Sequence, residues 1–246
     1  MINNVSLETL TLLGEHQDFM ESLSVMADMG AGAGKDSLWW VTQSVNDEQG
    51  ELHPLNIKVH AFDTFTDPNR IAHKNILWHS KDFSNTGMPV NSLDLIWSNN
   101  SFQCSNNPLA TLSHWWELLK EDGMLCLIIP YNLQLTSFRQ QPRINTTIDA
   151  GAYFNYSPGN IIALLASSGF DCRGGHFKFV HGDKWMRAAV YKTLHKPQRC
   201  INWYELIENK LLPYSVEKAI LSKGKFDDTD IVVEWVDHSV YNLGLS

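Results

Sequence analysis

Val25-Met26-Ala27-Asp28-Met29-Gly30-Ala31-Gly32-Ala33-Gly34, followed by Lys35-Asp36-Ser37-Leu38, is the stretch that decides how this chain folds. A short apolar run from Ser24 to Asp28 stops at alternating glycines, and Lys35 to Val45 then carries Leu38, Trp39, Val41, Thr42 and Val45 at roughly helical spacing. The implied order is strand, turn, helix. Spacing decides what such a turn can hold. A dinucleotide fingerprint G-x-G-x-x-G starting at Gly30 needs glycine at position 35, where Lys35 stands. A phosphate loop G-x-x-x-x-G-K-[ST] ending at Gly34 needs glycine at position 29 and a hydroxyl after the lysine, where the chain has Met29 and Asp36. Both are excluded, and D-x-G-x-G-x-G remains.

Outward from this turn, strands and helices alternate. Leu10 to Leu23 reads as a helix before it, and Asn46 to Leu55 as a polar loop after it. Ile57 to Phe62 and Asn75 to His79 are strands that lead into Asp63 and into Lys81-Asp82-Phe83. Ser92 to Trp97 is a continuous apolar strand, Pro108 to Leu119 a helix ending at Glu121-Asp122-Gly123, and Met124 to Ile129 a strand closed by Pro130. Such alternation argues for an α/β, doubly wound, mostly parallel sheet covered on both faces. Tyr131 to Ser157 has no clear period and reads as a lid over one side of the sheet. Pro158 to Ser168 is a helix, and Phe177 to Val180 with Met186 to Lys192 form an antiparallel hairpin at the C-terminal edge. After Pro197 the pattern turns helical, in Trp203 to Leu212 and Tyr214 to Ser222. The chain is therefore divided into a domain over 1–194 and a mainly helical extension over 195–246.

With D-x-G-x-G-x-G after its first strand, the chain resembles the class I S-adenosylmethionine-dependent methyltransferases. The likeness runs from about residue 20 to 193 and takes in Leu93-Asp94-Leu95-Ile96, Trp97-Ser98-Asn99-Asn100-Ser101-Phe102-Gln103 and Leu118-Leu119-Lys120-Glu121-Asp122-Gly123. It implies a Rossmann-like sheet of seven strands and S-adenosylmethionine as cofactor. It further implies that Gly30, Gly32 and Gly34 let the backbone approach the adenosyl and methionine groups, with N–H groups at the helix start favouring the methionine carboxylate. Asp28 would accept from the methionine ammonium, Asp63 from both ribose hydroxyls, and Asp82 from the adenine amino group. The backbone of Phe83 would meet the adenine ring, and Asn99, at the end of the fourth strand, joins the cofactor contacts. Asn100-Ser101-Phe102-Gln103 and Pro130-Tyr131-Asn132-Leu133-Gln134 resemble the carboxyl methyltransferases of trans-aconitate and of malonyl thioesters. The [DN]-P-P-[YF] turn of methyltransferases acting on DNA bases or protein glutamine is replaced by Asn99-Asn100-Ser101-Phe102, which argues against those acceptors.

Composition narrows the partners. A formal charge of −8 repels a phosphate backbone, so nucleic acid is not expected as substrate. No apolar run is long enough to span a bilayer, and Met1 to Leu13 lacks the pattern of a signal peptide, so a cytoplasmic location is expected. Cys104, Cys126, Cys172 and Cys200 are too scattered for a thiolate metal site and read as buried reduced thiols, and the histidines form no H-x-x-x-H pair, so no metal is expected. His181 and Trp185 are the candidates for a catalytic role from the hairpin. In Trp39-Trp40 and in Trp115-Trp116 one ring can face the core and the other the surface. The acceptor is expected to be a small molecule carrying a carboxylate. It would meet Tyr131, Asn132 and Gln134 through hydrogen bonds and Arg139 and Arg143 through bidentate guanidinium contacts. The rivals are a non-catalytic methyltransferase-like subunit and an enzyme acting on a macromolecule. An intact glycine turn with Asp63 and Asp82 argues against the first.

Overall fold

The computed structural model describes residues 9, 12–46, 52–130, 143–144, 154–180, 185–231 and 234–235. Its centre is one mixed sheet. The strands are β1 (Val25–Met29), β2 (Lys58–Phe62), β3 (Ile76–His79), β4 (Leu93–Asn99), β5 (Leu119–Pro130), β6 (Phe170–Val180), β7 (Trp185–Lys192) and the two-residue β8 (Glu234–Trp235). They lie in the order β8-β6-β7-β5-β4-β1-β2-β3. From β3 to β5 all neighbours are parallel, while β7 is antiparallel to both β5 and β6. This is the doubly wound sheet with an antiparallel edge that the sequence implies; β8, parallel to β6 at Lys178 and Phe179, is an addition to the seven strands.

Each face of the sheet has its own core. On one, Ala27, Met29, Ile96 and Leu127 pack under α3 (Pro108–Leu118) and α4 (Pro158–Ser167). On the other, Met26, Leu95, Trp97 and Ile128 pack under α1 (Gln17–Ser22) and α2 (Lys35–Val41), through Met20 and Trp40. A strand covered on both faces must be apolar nearly throughout, and five of the seven positions in β4 are fully buried. Local chemistry sets the helix starts: Asn107 and Ser157 accept from Ala110 and Asn160 N–H groups, each with proline at the next position. Trp40 and Trp115 are buried while Trp39 and Trp116 are partly exposed, as the paired tryptophans imply.

Four local readings are corrected. The helix before β5 stops at Leu118, because Leu119 is already paired with Leu93; Lys120 to Gly123 then bulge before Met124 pairs with Leu95. Asp171 Oδ1 accepts from the N–H groups of Arg173 and Gly174, a bulge that lets β6 run unbroken from Phe170 to Val180. The helix read as far as Val45 ends at Val41, because Ser44–Asn46 forms a small antiparallel pair with Leu52–Pro54 of the expected polar loop. Of the cysteines, Cys126 and Cys172 are buried, but Cys104 is half-buried and Cys200 exposed.

Residues after 195 lean on the first core. Leu206 of α5 (Trp203–Glu208), Leu211, Leu212 and Val216 of α6 (Tyr214–Lys223) belong to the same apolar cluster as Phe170 and Cys172. The link between these helices also bonds β6, since the Leu211 carbonyl accepts from Cys172 N–H and the Leu212 carbonyl from Arg173 Nε. Among the described residues no helix is long and apolar enough to cross a membrane. Leu212→Ala, which removes a fully buried side chain at this contact, is expected to cost about 2–5 kcal/mol. Urea denaturation followed by circular dichroism should show one transition, shifted to lower urea; a separate early transition would mean that the C-terminal helices melt independently.

Candidate functional site

The glycine turn lies where β1 ends at the centre of the sheet, between the C-terminal ends of β2 and β4. Two N–H groups, of Gly30 and Ala31, donate to the Phe62 carbonyl at 2.8 and 2.9 Å, and Ser101 Oγ donates to the Met29 carbonyl. The three glycines answer to different constraints. A methyl group on Gly30 would lie 2.2 Å from Ser101 Cβ, and one on Gly34 would lie 2.6 Å from the Trp78 ring. One on Gly32 would meet nothing within 4 Å, although φ there is +54°. Gly30 and Gly34 thus admit protein neighbours, and only Gly32 leaves an open backbone surface.

The expected cofactor residues gather round that surface to different degrees. Asp63 is next to it: Oδ2 accepts from Gly32 N–H at 2.8 Å and Oδ1 from Phe65 N–H at 2.8 Å. Asp28 is buried beneath the turn, accepting from Ser37 Oγ at 2.6 Å. Asn99 donates from Nδ2 to Asp36 Oδ2 at 3.0 Å. Asp82 is exposed after β3, and the Phe83 carbonyl accepts from Trp115 Nε1 at 2.9 Å.

Residues 27–127 match the family model described as "Methyltransferase domain". Over these residues the chain carries a methyltransferase domain, which supports a class I S-adenosylmethionine-dependent methyltransferase with S-adenosylmethionine as cofactor. Solved structures share its fold. The Burkholderia thailandensis 1,6-didemethyltoxoflavin-N1-methyltransferase, solved with bound 1,6-didemethyltoxoflavin and S-adenosylhomocysteine, is 15% identical at a TM-score of 0.53, over 76% of this chain and 84% of that one. An S-adenosylmethionine-dependent methyltransferase from Mesorhizobium loti is 11% identical at 0.55, over 76% and 100%. The cyclase SpnF is 11% identical at 0.51, over 74% and 81%, so the fold alone does not fix the reaction. Compared with curated protein sequences, the chain has no match.

The residues around the turn suit that cofactor in their donor set. Gly32 offers bare backbone, Asp63 presents two carboxylate oxygens for a diol, and buried acid lies under the turn. Burial and the neighbouring Asp36 push the Asp28 carboxyl up to about 8. Burial also raises Asp36, against the hydrogen bonds from Asn99 and from Trp97 Nε1, the latter at 2.9 Å. Asp36, Ser37 and Trp97, which bond Asp28, Asn99 and one another here, are residues that sequence reasoning passed over. The available signal was an acid in the first turn after the glycines, a place where it excluded a phosphate loop.

A second group extends from β4. Phe102, in the short turn Phe102–Cys104, stacks on Tyr156 with ring centroids 5.5 Å apart. Among the described residues Tyr156 Oη and Gln103 Oε1 are buried without hydrogen-bond partners, although Gln103 Nε2 donates to Asn100 Oδ1 at 2.6 Å. Burial and Asp63 raise the Cys104 thiol, and burial and Cys104 raise the Tyr156 phenol. Of the expected acceptor residues, Tyr131, Asn132, Gln134 and Arg139 lie outside the described residues, as does His181. Arg143 is described in its backbone alone, pairing with Asn155. Trp185 pairs with Pro130 and Val180 at the end of β7.

Among the described residues one group could offer three ligands to a metal: Glu15, His16 and His176, with donor atoms within 4.8 Å of one another. Its carboxylate already accepts from Lys178 Nζ and Arg187 Nη2, so a metal ion would have to enter beside two cations. Burial and His176 push His16 down to about 4.

Two variants test the turn. Gly30→Ala forces a collision with Ser101, whereas Gly32→Ala meets no atom and carries only the strain of positive φ, about 1 kcal/mol. Melting curves should show the first variant to be the more destabilised. A carboxyl whose pKa folding raises stabilises the folded state fully below the unfolded pKa of about 4 and loses that contribution as pH rises through about 8. The melting temperature of Asp28→Asn minus that of wild type, both without ligand, should therefore grow from about pH 4 to about pH 8. A difference that stays flat over this window would show that Asp28 is not held protonated.

Proposed function

We propose that this domain transfers the methyl group of S-adenosylmethionine to a small acceptor carrying a carboxylate. The observation that carries the proposal is two buried polar atoms without partners among the described residues: Gln103 Oε1, in the segment that follows β4, and Tyr156 Oη, whose ring stacks on Phe102 of that segment. A buried polar atom without a partner costs about 1–3 kcal/mol, which a ligand that bonds it recovers.

In this reading Asp63 takes the ribose hydroxyls, its two oxygens aimed by Gly32 and Phe65 N–H groups. Asp82 and the Phe83 backbone take the adenine, and Asp28, Asn99 and the turn Gly30-Ala31-Gly32-Ala33-Gly34 take the methionine end. When bound, the cofactor supplies a methyl group that already carries a good leaving group. The protein then needs to hold the acceptor in line and exclude water. Tyr156, kept as a neutral phenol, donates to a carboxylate oxygen, and Gln103 Oε1 accepts from a donor elsewhere on the acceptor. Neither Tyr156 nor Cys104 is suited to take a proton at neutral pH, since both are raised. A carboxylate, ionised already, needs no base. Tyr131, Asn132, Gln134, Arg139 and Arg143 complete the acceptor side in this proposal, and the segment over 195–246 acts as an extension of the domain.

Calorimetry with S-adenosylhomocysteine comes first: wild type should bind, and Asp63→Ala should not while keeping its melting transition. Gly30→Val is a poor probe, because its side chain would strike Ser101 and disturb the turn itself. A screen of small acids, amines and phenols with labelled cofactor should then find an acid as the acceptor. Tyr156→Phe should lower kcat/KM for that acid about 10- to 100-fold, the loss of one hydrogen bond to a charged group. Arg139→Ala and Arg143→Ala should raise KM. Methyl transfer to amines alone, or to a protein or RNA fraction with no small-molecule turnover, would reject the carboxylate reading.

A further inference from the structure

Asp36 has no task under the resemblance that assigns Asp28, yet the two acids are held together: Ser37, the residue after Asp36, bonds the buried Asp28, and the half-buried Asp36 is bonded by Trp97, whose backbone pairs with Asp28. Their hydrogen-bond donors are all neutral: Ser37 Oγ to Asp28 at 2.6 Å, and Trp97 Nε1 at 2.9 Å and Asn99 Nδ2 at 3.0 Å to Asp36. Among the described residues neither acid forms an ion pair with lysine, arginine or histidine. The other charged groups that act on them are Lys35, beside Asp36 in α2, and Asp63, at the end of β2, which faces Asp28. Two ionised carboxylates side by side, one buried and one half-buried, are costly without a cation, because both lose hydration and each repels the other. Either a proton or a cationic ligand must balance them.

The cofactor supplies such a cation. Its methionine end bears an ammonium, and Asn99, which bonds Asp36, is one of the residues assigned to that end. We propose that Asp36 is a second cofactor-positioning carboxylate, and that the Asp28–Asp36 pair exchanges one shared proton for the ammonium when the cofactor binds. The inference rests on the cofactor placement of the preceding section. In the exchange a carboxyl O–H bond breaks, its proton passes to solvent, and N–H groups of the ammonium become donors to the carboxylate oxygens. No other bond changes, and the ammonium stays protonated throughout. The raised carboxyls of both residues agree with a proton held in the pair near neutral pH. Asn99 and Trp97 aim the Asp36 carboxylate, and Ser37 aims Asp28, so the pair is oriented before the ligand arrives.

The test is calorimetry of S-adenosylhomocysteine, which keeps the ammonium and is not turned over, in buffers of different ionisation heat. Wild type should release about one proton per ligand near pH 7, and its affinity should rise about tenfold between about pH 6.5 and about pH 7.5. Methylthioadenosine, which keeps the adenosyl group and lacks the amino-acid end, should bind with no proton release. In Asp36→Asn, shown folded by its melting curve, Asp28 stays buried but loses the repulsion of its neighbour, so proton release and the rise in affinity for S-adenosylhomocysteine over the same range should both be smaller than in wild type, and an unchanged release would overturn the part given to Asp36. Binding of S-adenosylhomocysteine without proton release would overturn the exchange while leaving the cofactor placement intact. Equal proton release with methylthioadenosine would trace the proton to another group and overturn it too. If S-adenosylhomocysteine bound at no pH, the cofactor placement itself would fail. Should Asp36→Asn not fold, the two ligands on wild type decide the matter alone.

Discussion

The backbone clamp on the turn after β1 is the constraint on which the site depends. From one side the Phe62 carbonyl takes the N–H groups of Gly30 and Ala31; from the other, Ser101 Oγ donates to the Met29 carbonyl. A parallel sheet supplies both hands of this clamp, because β2 and β4 flank β1 and their chain continuations emerge at the same end. Once the turn is held, Gly34 can start α2, which brings Asp36 and Ser37 over the end of β4 and beside Asp28. The same clamp places Asp63 against Gly32 without any further element. The geometry therefore costs little sequence: three glycines, one serine and the register of three neighbouring strands.

Much of this was legible in the residues, and for a physical reason. Interior parallel strands must be apolar on both faces, so Leu93 to Trp97 stands out in any window, and the turn after Asp28 announces itself by three glycines at alternate positions. Strand ends were harder. Lys120-Glu121-Asp122-Gly123 looks like a helix stop, but it is a bulge whose position depends on pairing between Leu93 and Leu119, a contact between residues 26 apart. Gly174-Gly175 likewise looks like a break, and Asp171 turns it into an irregularity within β6. The site showed the same limit. Asp63 was found because it follows a strand directly, whereas Asp36 gains its meaning only from Trp97 and Asn99, more than sixty positions away. Tyr156 carries no such signal, because a buried hydroxyl without a partner among the described residues is a property of the packing and not of the local sequence.

The long strand β6 has a further consequence. It would be the outer margin of the sheet, with a row of main-chain groups open to any other extended chain. Three devices blunt it: the bulge at Asp171 to Gly175, the contacts of Cys172 and Arg173 with the Leu211 and Leu212 carbonyls, and the pairing of Lys178 and Phe179 with β8. Two of the three come from residues beyond 195. That segment therefore acts as a guard against strand addition between molecules, and damage to it would show first as self-association and poor solubility, before any change in the chemistry at the other end of the sheet.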